Sequence, residues 1–200
     1  IGYHDNNMDS VEKFSNLSRK IVAQKPELEE CHQWLADTRK SCRSYSIHTQ
    51  YLGYLIGAGG FGLFMGGTWV DGICAGLCGL LIGLVDKYLD HLKANQFFRT
   101  IASSFLMAML AYTLGVLGIA RNPDAVTIGA LMLLVPGLLF INAMRDIIYG
   151  DTNSGVNRIV QVFLVAAALS LGTGAAWSIC TRLWGAPVNL GLADYNFAAQ

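Results

Sequence analysis

The sequence predicts an all-α, polytopic membrane protein, with about five transmembrane helices behind an N-terminal cytoplasmic helical segment. Three observations lead there. Five apolar runs of 17 to 22 residues follow one another from residue 49 to residue 179. Charged residues make up only 14% of the chain, and mean hydropathy is +0.41, whereas a soluble domain carries about 25% charged residues. No segment alternates with period two. Lipid offers no partner for backbone polar groups, so apolar runs of this length must pair within themselves as helices.

The polar segment comes first. Met8, Val11, Phe14, Leu17, Ser18, Ile21 and Val22 recur at three- and four-residue steps, which predicts a helix over 7–25 with one apolar stripe. Pro26 interrupts, and Pro-Glu-Leu-Glu-Glu is a good helix start with acids in its first turn. A second helix is expected over 26–46, with Leu28, Cys31, Leu35 and Thr38 on its stripe and Arg39, Lys40 and Arg43 near its end. Both are too polar to cross a bilayer, so residues 1–48 are expected to sit on its cytoplasmic face. Such a stripe is usually ordinary packing and less often a binding face.

The apolar spans are expected over 49–67, 70–86, 101–120, 126–144 and 158–179. Each approximates the roughly 20 residues needed to cross a hydrocarbon core of about 30 Å; the second is short. With the N-terminus inside, the inner segments hold Arg39, Lys40, Arg43, Lys87, Lys93, Arg99, Arg145 and Arg158, and the outer ones only Arg121 and Arg182. That asymmetry orients the chain N-terminus in and C-terminus out, and puts the tail 183–200 outside. The chain opens at Ile1 with no basic stretch leading into a short apolar one, so no signal peptide is expected, and an N-terminal piece is expected to be missing.

Half of the 22 glycines fall between Gly53 and Gly83. Gly53/Gly57, Gly62/Gly66, Gly72/Gly76 and Gly79/Gly83 are small-xxx-small pairs, which let helix backbones approach closely in lipid. Spans one and two are therefore expected to pack hard on each other or on another subunit; bending during transport is the competing use.

Several classes of function drop out. Zero formal net charge and the lack of a basic tract interleaved with aromatics exclude a nucleic-acid surface. Cys74 and Cys78 read as small packing residues within an apolar run, and Cys31 and Cys42 lack the spacing of a zinc site. No Ser-His-Asp, Cys-His, HExxH or phosphate-loop pattern occurs, so neither an enzyme nor a cofactor is expected.

The stretch Leu134–Arg158 is the most informative. Pro136 sits near the middle of span four, where it removes one backbone donor and clashes with the carbonyl a turn earlier. With Gly137 it predicts a kink or an unwound turn at mid-membrane, and freed carbonyls with a half-helix N-terminus are the groups transporters use to hold ions and anionic substrates. Asn142, still within the span, must hydrogen-bond to a neighbouring helix or a ligand. Arg145 is suited to a carboxylate, or else anchors in lipid headgroups. Asp146, its neighbour, must pair elsewhere. Asp151 and Ser154 lie in a polar turn before span five, where either could simply cap the helix; Arg158 closes the stretch. Asp71, after Gly66-Gly67, is a candidate gate or proton site, with a solvated turn as the competing reading. Asp86 and Asp90 read as a solvated helix end.

These residues resemble the threonine/serine exporter family. Its pattern is matched by Leu134-Val135-Pro136-Gly137, Asn142, Arg145-Asp146, Gly150-Asp151, Ser154-Gly155 and Arg158, and its first hairpin is similar to Phe64-Met65-Gly66-Gly67 with Asp71. The resemblance implies the larger, five-span half of a transporter that members carry either fused or split over two chains, similar to the large subunit of a two-component succinate exporter. It implies a small second membrane subunit as partner, export of a small hydrophilic carboxylate such as threonine, serine or succinate, proton-gradient coupling and an inner (plasma) membrane address. It places Pro136, Gly137, Asn142, Arg145, Asp146, Asp151, Ser154, Arg158 and Asp71 in binding or gating. A homo-oligomer is left open. The alternative is a non-transporting membrane scaffold whose glycine faces and amphipathic helices bind other proteins.

Overall fold

The computed structural model describes residues 8–42 and 46–184. The expected outer tail falls almost wholly outside the described residues, as do His4 and Arg43. Contacts divide the chain between Ile47 and His48 into two compact units. All regular structure among the described residues is helical.

The first unit is a helical pair, α1 (Met8–Gln24) and α2 (Leu28–Ser41). The chain turns at Lys25, whose φ is +44°, and Pro26 precedes α2 with Glu29 and Glu30 in its first turn. Lys20 lies 4.0 Å from the centre of the Trp34 ring, and Lys13 joins Asp9 at 2.7 Å and the Ser41 carbonyl at 2.9 Å. Among the described residues of the apolar stripe only Leu17 is buried; Val11, Phe14 and Val22 are exposed. The two-helix reading therefore holds, while simple packing accounts for little of the stripe.

The second unit comprises α3 (Ile47–Phe64), α4 (Trp69–His91), α5 (Gln96–Val116), α6 (Pro123–Leu131), α7 (Gly137–Ile148) and α8 (Thr152–Trp184). Three of these, α4, α5 and α8, are long and apolar enough to cross a membrane. Helix α3, at 18 residues, measures about 27 Å along its axis. The expected fourth span is broken into α6 and α7. The expected second span is not short: α4 has 23 residues, because its charged last turns remain helical beyond the apolar stretch.

Small residues build the core. Ala58 of α3, Cys74, Ala75, Cys78 and Ile82 of α4, Met107 and Ala111 of α5, and Val126 and Ala130 of α6 form one buried cluster. Ala108 and Tyr112 of α5 with Ala176 and Cys180 of α8 form a second. Lipid tails are as apolar as leucine, so burial of grease does not drive these contacts; close van der Waals approach does. All four glycines of α4, with Gly59 and Gly62 of α3, are spent there. A side chain at Gly59 would meet the Gly72 carbonyl at 2.9 Å, one at Gly62 the Ala75 methyl at 2.8 Å, and one at Gly76 the Leu55 carbonyl at 3.0 Å. Helix α3 also receives α6, where Gly129 lies against Gly62. Gly172 of α8 packs on Ser104 and Ile101 of α5, and Gly155 of α8 on Ala143 and Ile147 of α7.

Asp86 and Asp90 do not form a merely solvated helix end. Arg99, at the start of α5, donates to Asp86 Oδ1 from Nε at 3.0 Å and from a terminal nitrogen at 2.6 Å, and to Asp90 Oδ1 at 2.8 Å. With 12% of its side chain exposed, Arg99 clasps the α4–α5 hairpin.

Candidate functional site

The break between α6 and α7 spans five residues, Met132 to Pro136. Proline lacks the N–H that would continue the ladder, and its ring clashes with the carbonyl one turn earlier. The chain instead tightens: Leu133 N–H donates to Ala130 O at 3.2 Å, Leu134 N–H to Leu131 O at 2.9 Å, and Gly137 N–H to Val135 O at 2.9 Å. Among the described residues no N–H donates to the carbonyls of Met132, Leu133 or Leu134. The N–H groups of Leu138 and Leu139, in the first turn of α7, likewise have no acceptor there, as helix geometry requires of a first turn. Three carbonyls without a backbone donor and the positive end of a half-helix thus meet at one place.

The break sits level with the middle of α3. A side chain at Gly57 would touch the Leu133 methyl at 3.0 Å. Leu131, Leu133 and Leu134 pack against the main cluster, and Met132, Val135 and Leu138 are exposed. The two half-helices belong to different neighbours: α6 packs on α3, α4 and α5, and α7 on α8.

Arg145 and Asn142 stand one helical turn apart on α7, so they share a face. Arg145 is exposed and Asn142 half-buried. Among the described residues neither side chain has a hydrogen-bond or ion-pair partner. Asp146 pairs with Arg158 at 3.0 Å, its side chain 16% exposed. That pair ties α7 to α8, and Arg145 has no ion-pair partner among the described residues. Asp151 caps α8: its Oδ1 accepts from Ser154 N–H at 3.3 Å and its backbone N–H donates to Asp146 O at 2.9 Å. Gly150, with φ of +92°, turns the chain between α7 and α8 in a conformation that a side chain would strain.

Asp71 lies apart from this group. The solvated-turn reading fails, because Asp71 is fully buried. Thr68 N–H and Oγ1–H donate to Oδ2 at 2.8 and 2.7 Å; Arg121 N–H and Asn122 N–H donate to Oδ1 at 2.7 and 3.1 Å. Thr68 in turn accepts from Asp71 N–H at 3.4 Å, completing a capping box. The signal for half of this was present: Thr-x-x-Asp before an apolar run is a capping pattern. The other half, 50 residues away, had none.

Comparison with known proteins identifies the family of the chain. Residues 1–180 match the family described as "Putative threonine/serine exporter". The "Threonine/serine exporter" of Corynebacterium glutamicum is 23% identical over 178 residues, covering 87% of this chain and 36% of that protein. The "Probable threonine/serine exporter" of Mycobacterium tuberculosis is 23% identical over 123 residues, covering 58% of this chain and 22% of that protein. The chain thus spans about a third or less of the curated relatives it matches. No solved structure matches.

Proposed function

The chain belongs to the threonine/serine exporter family, and from that premise we propose that it forms one membrane half of a secondary exporter for small hydrophilic carboxylates. The observation that carries this is the break at Pro136-Gly137, which leaves main-chain acceptors and a half-helix N-terminus without backbone partners level with the middle of α3. A plain packing helix has no use for such a gap in lipid, where each unpaired group costs several kcal/mol, about the energy a ligand or a partner helix would restore.

In this reading the free N–H groups of α7 and the Arg145 guanidinium attract the carboxylate that threonine, serine and succinate share, and Asn142 contributes a neutral hydrogen bond. Pro136 and Gly137 form the break, Asp146 with Arg158 holds α7 to α8, and Asp151 with Ser154 sets the start of α8. Proton coupling falls to an acid that is exposed to the path in one state and hidden in another. The remaining part of the transporter is a small second membrane subunit that completes the path beside α7. The assembly sits in the plasma membrane with the first unit in the cytoplasm, as the placement of Lys and Arg supports.

The scaffold alternative keeps Gly53, Gly60 and Gly66 as open positions, but it gives the break at Pro136-Gly137 no part to play. The test is efflux of labelled serine and labelled succinate from vesicles made with and without the second subunit. Expected is flux of at least one substrate that needs both chains and falls about tenfold or more in Arg145→Ala, the loss of one charge-assisted contact. Absence of flux under every loading condition refutes the exporter reading.

A further inference from the structure

Asp71 has no ligand-facing atom left. Each of its oxygens accepts two hydrogen bonds, one oxygen from Thr68 and the other from the backbone at Arg121 and Asn122. Three of the four donors are backbone N–H groups, which cannot accept from an acid O–H, so the arrangement favours a carboxylate over its acid. The residues it grips matter more than the grip itself. Asn122 is the N-cap of α6 and accepts from Ala125 N–H at 3.2 Å, with Pro123 opening the helix. Asp71 therefore binds the first turn of α4 to the end of α6 remote from the break. At its other end α6 runs into the break itself. In between, Gly129 lies against Gly62, and Val126 and Ala130 are fully buried.

We infer that Asp71 is a positioning residue, a carboxylate staple that pins the start of α6 to α4 and so holds the break at its level. This deepens the exporter reading and rests on it for its consequence in transport, though the staple itself is testable without flux. It also assigns Asp71 a role other than carrying protons, since a carrier must be approached from the path in at least one state and lose its proton there.

The experiment follows a buried thiol in α6. Cys31 and Cys42 are replaced by serine, Ala130→Cys is introduced, and vesicles are treated with N-ethylmaleimide; modification is mapped by mass spectrometry. Native Cys180, fully buried between α5 and α8, is the internal control. Asp71→Asn keeps the shape but puts an amide NH2 against N–H or O–H donors. It is expected to speed labelling at position 130 about tenfold, the factor that one lost charge-assisted hydrogen bond gives a local opening equilibrium. Cys180 labelling stays unchanged. Thr68→Val, which leaves the Arg121 and Asn122 bonds intact, is expected to give a smaller increase. Unchanged labelling at position 130 in both variants overturns the inference, as does a parallel rise at Cys180, which would mean general loosening. In the flux assay Asp71→Asn is expected to lower the maximal rate while leaving the shape of its pH dependence unaltered. Loss of pH dependence with exchange intact would make Asp71 the proton carrier and overturn the assignment. If no flux is seen in the native chain but the labelling contrast holds, the exporter reading fails and the staple stands.

Discussion

Gly129→Ala is the substitution that most directly probes how α6 is seated. A Cβ at Gly129 would lie 2.5 Å from Gly62 N, 2.6 Å from Gly62 Cα and 3.1 Å from the Ala58 carbonyl. Ordinary contact begins at 3.4 Å, so the closest of these falls about 0.9 Å short. All three atoms are backbone of α3, which cannot swing aside as a side-chain tip would, so α6 must retreat as a body. Overpacking of this kind costs about 3 kcal/mol at the upper end of its range. The better helix propensity of alanine returns up to about 1 kcal/mol. The net loss of about 2 kcal/mol corresponds to a fall in melting temperature of roughly 4–8 °C for a chain of this size. Gly60, on the same α3, is the control: nothing lies within 4 Å of a Cβ there. Gly60→Ala should leave the melting temperature level or raise it slightly. Thermal unfolding in detergent, followed by loss of helical circular dichroism, reads both. An unmoved Gly129→Ala, or an equal fall in Gly60→Ala, would refute the claim that α3 and α6 are in backbone contact.

Pro136→Ala restores the missing donor and removes the ring clash, so α6 and α7 should join and efflux should drop at least about tenfold with folding retained; unaltered efflux would separate the break from transport. Arg99→Ala leaves Asp86 and Asp90 without their cation and should destabilise by about 1–2 kcal/mol in the same melting assay, and Arg99→Lys should recover little of this because an ammonium cannot fork between two carboxylates. The Asp146–Arg158 pair should give a coupling of about 0.5–1 kcal/mol in a double-mutant cycle on melting, modest because the Arg158 side chain is 39% exposed, and exchanging the two residues should restore most of it.

Much of this architecture was legible from hydropathy, because a membrane punishes any unpaired backbone and so turns long apolar runs into helices. The two N-terminal helices, the tight α3–α4 hairpin and the break at Pro136-Gly137 could all be read before any coordinates. Proline acts on its own backbone, and glycine pairs need only be on one face of one helix to announce a close neighbour. Helix ends were less legible. The run 70–86 marked where apolar residues stop, yet α4 continues to His91, with Arg99 of α5 holding Asp86 and Asp90 in its last turns.

What only the tertiary structure decided is which groups meet across the chain. Nothing local told that Arg99 would clasp Asp86 and Asp90, that Asp146 would choose Arg158 and leave Arg145 exposed, or that Gly129 would face Gly62. Asp71 shows the division most clearly. The capping pattern with Thr68 is written in four consecutive residues, whereas its bonds to Arg121 and Asn122 bridge 50 and 51 positions. Covalent neighbours and helical period determine an element because they act at fixed separations along the chain. The partners of a buried charge depend on how elements pack, and packing is the one property that no stretch of sequence holds by itself.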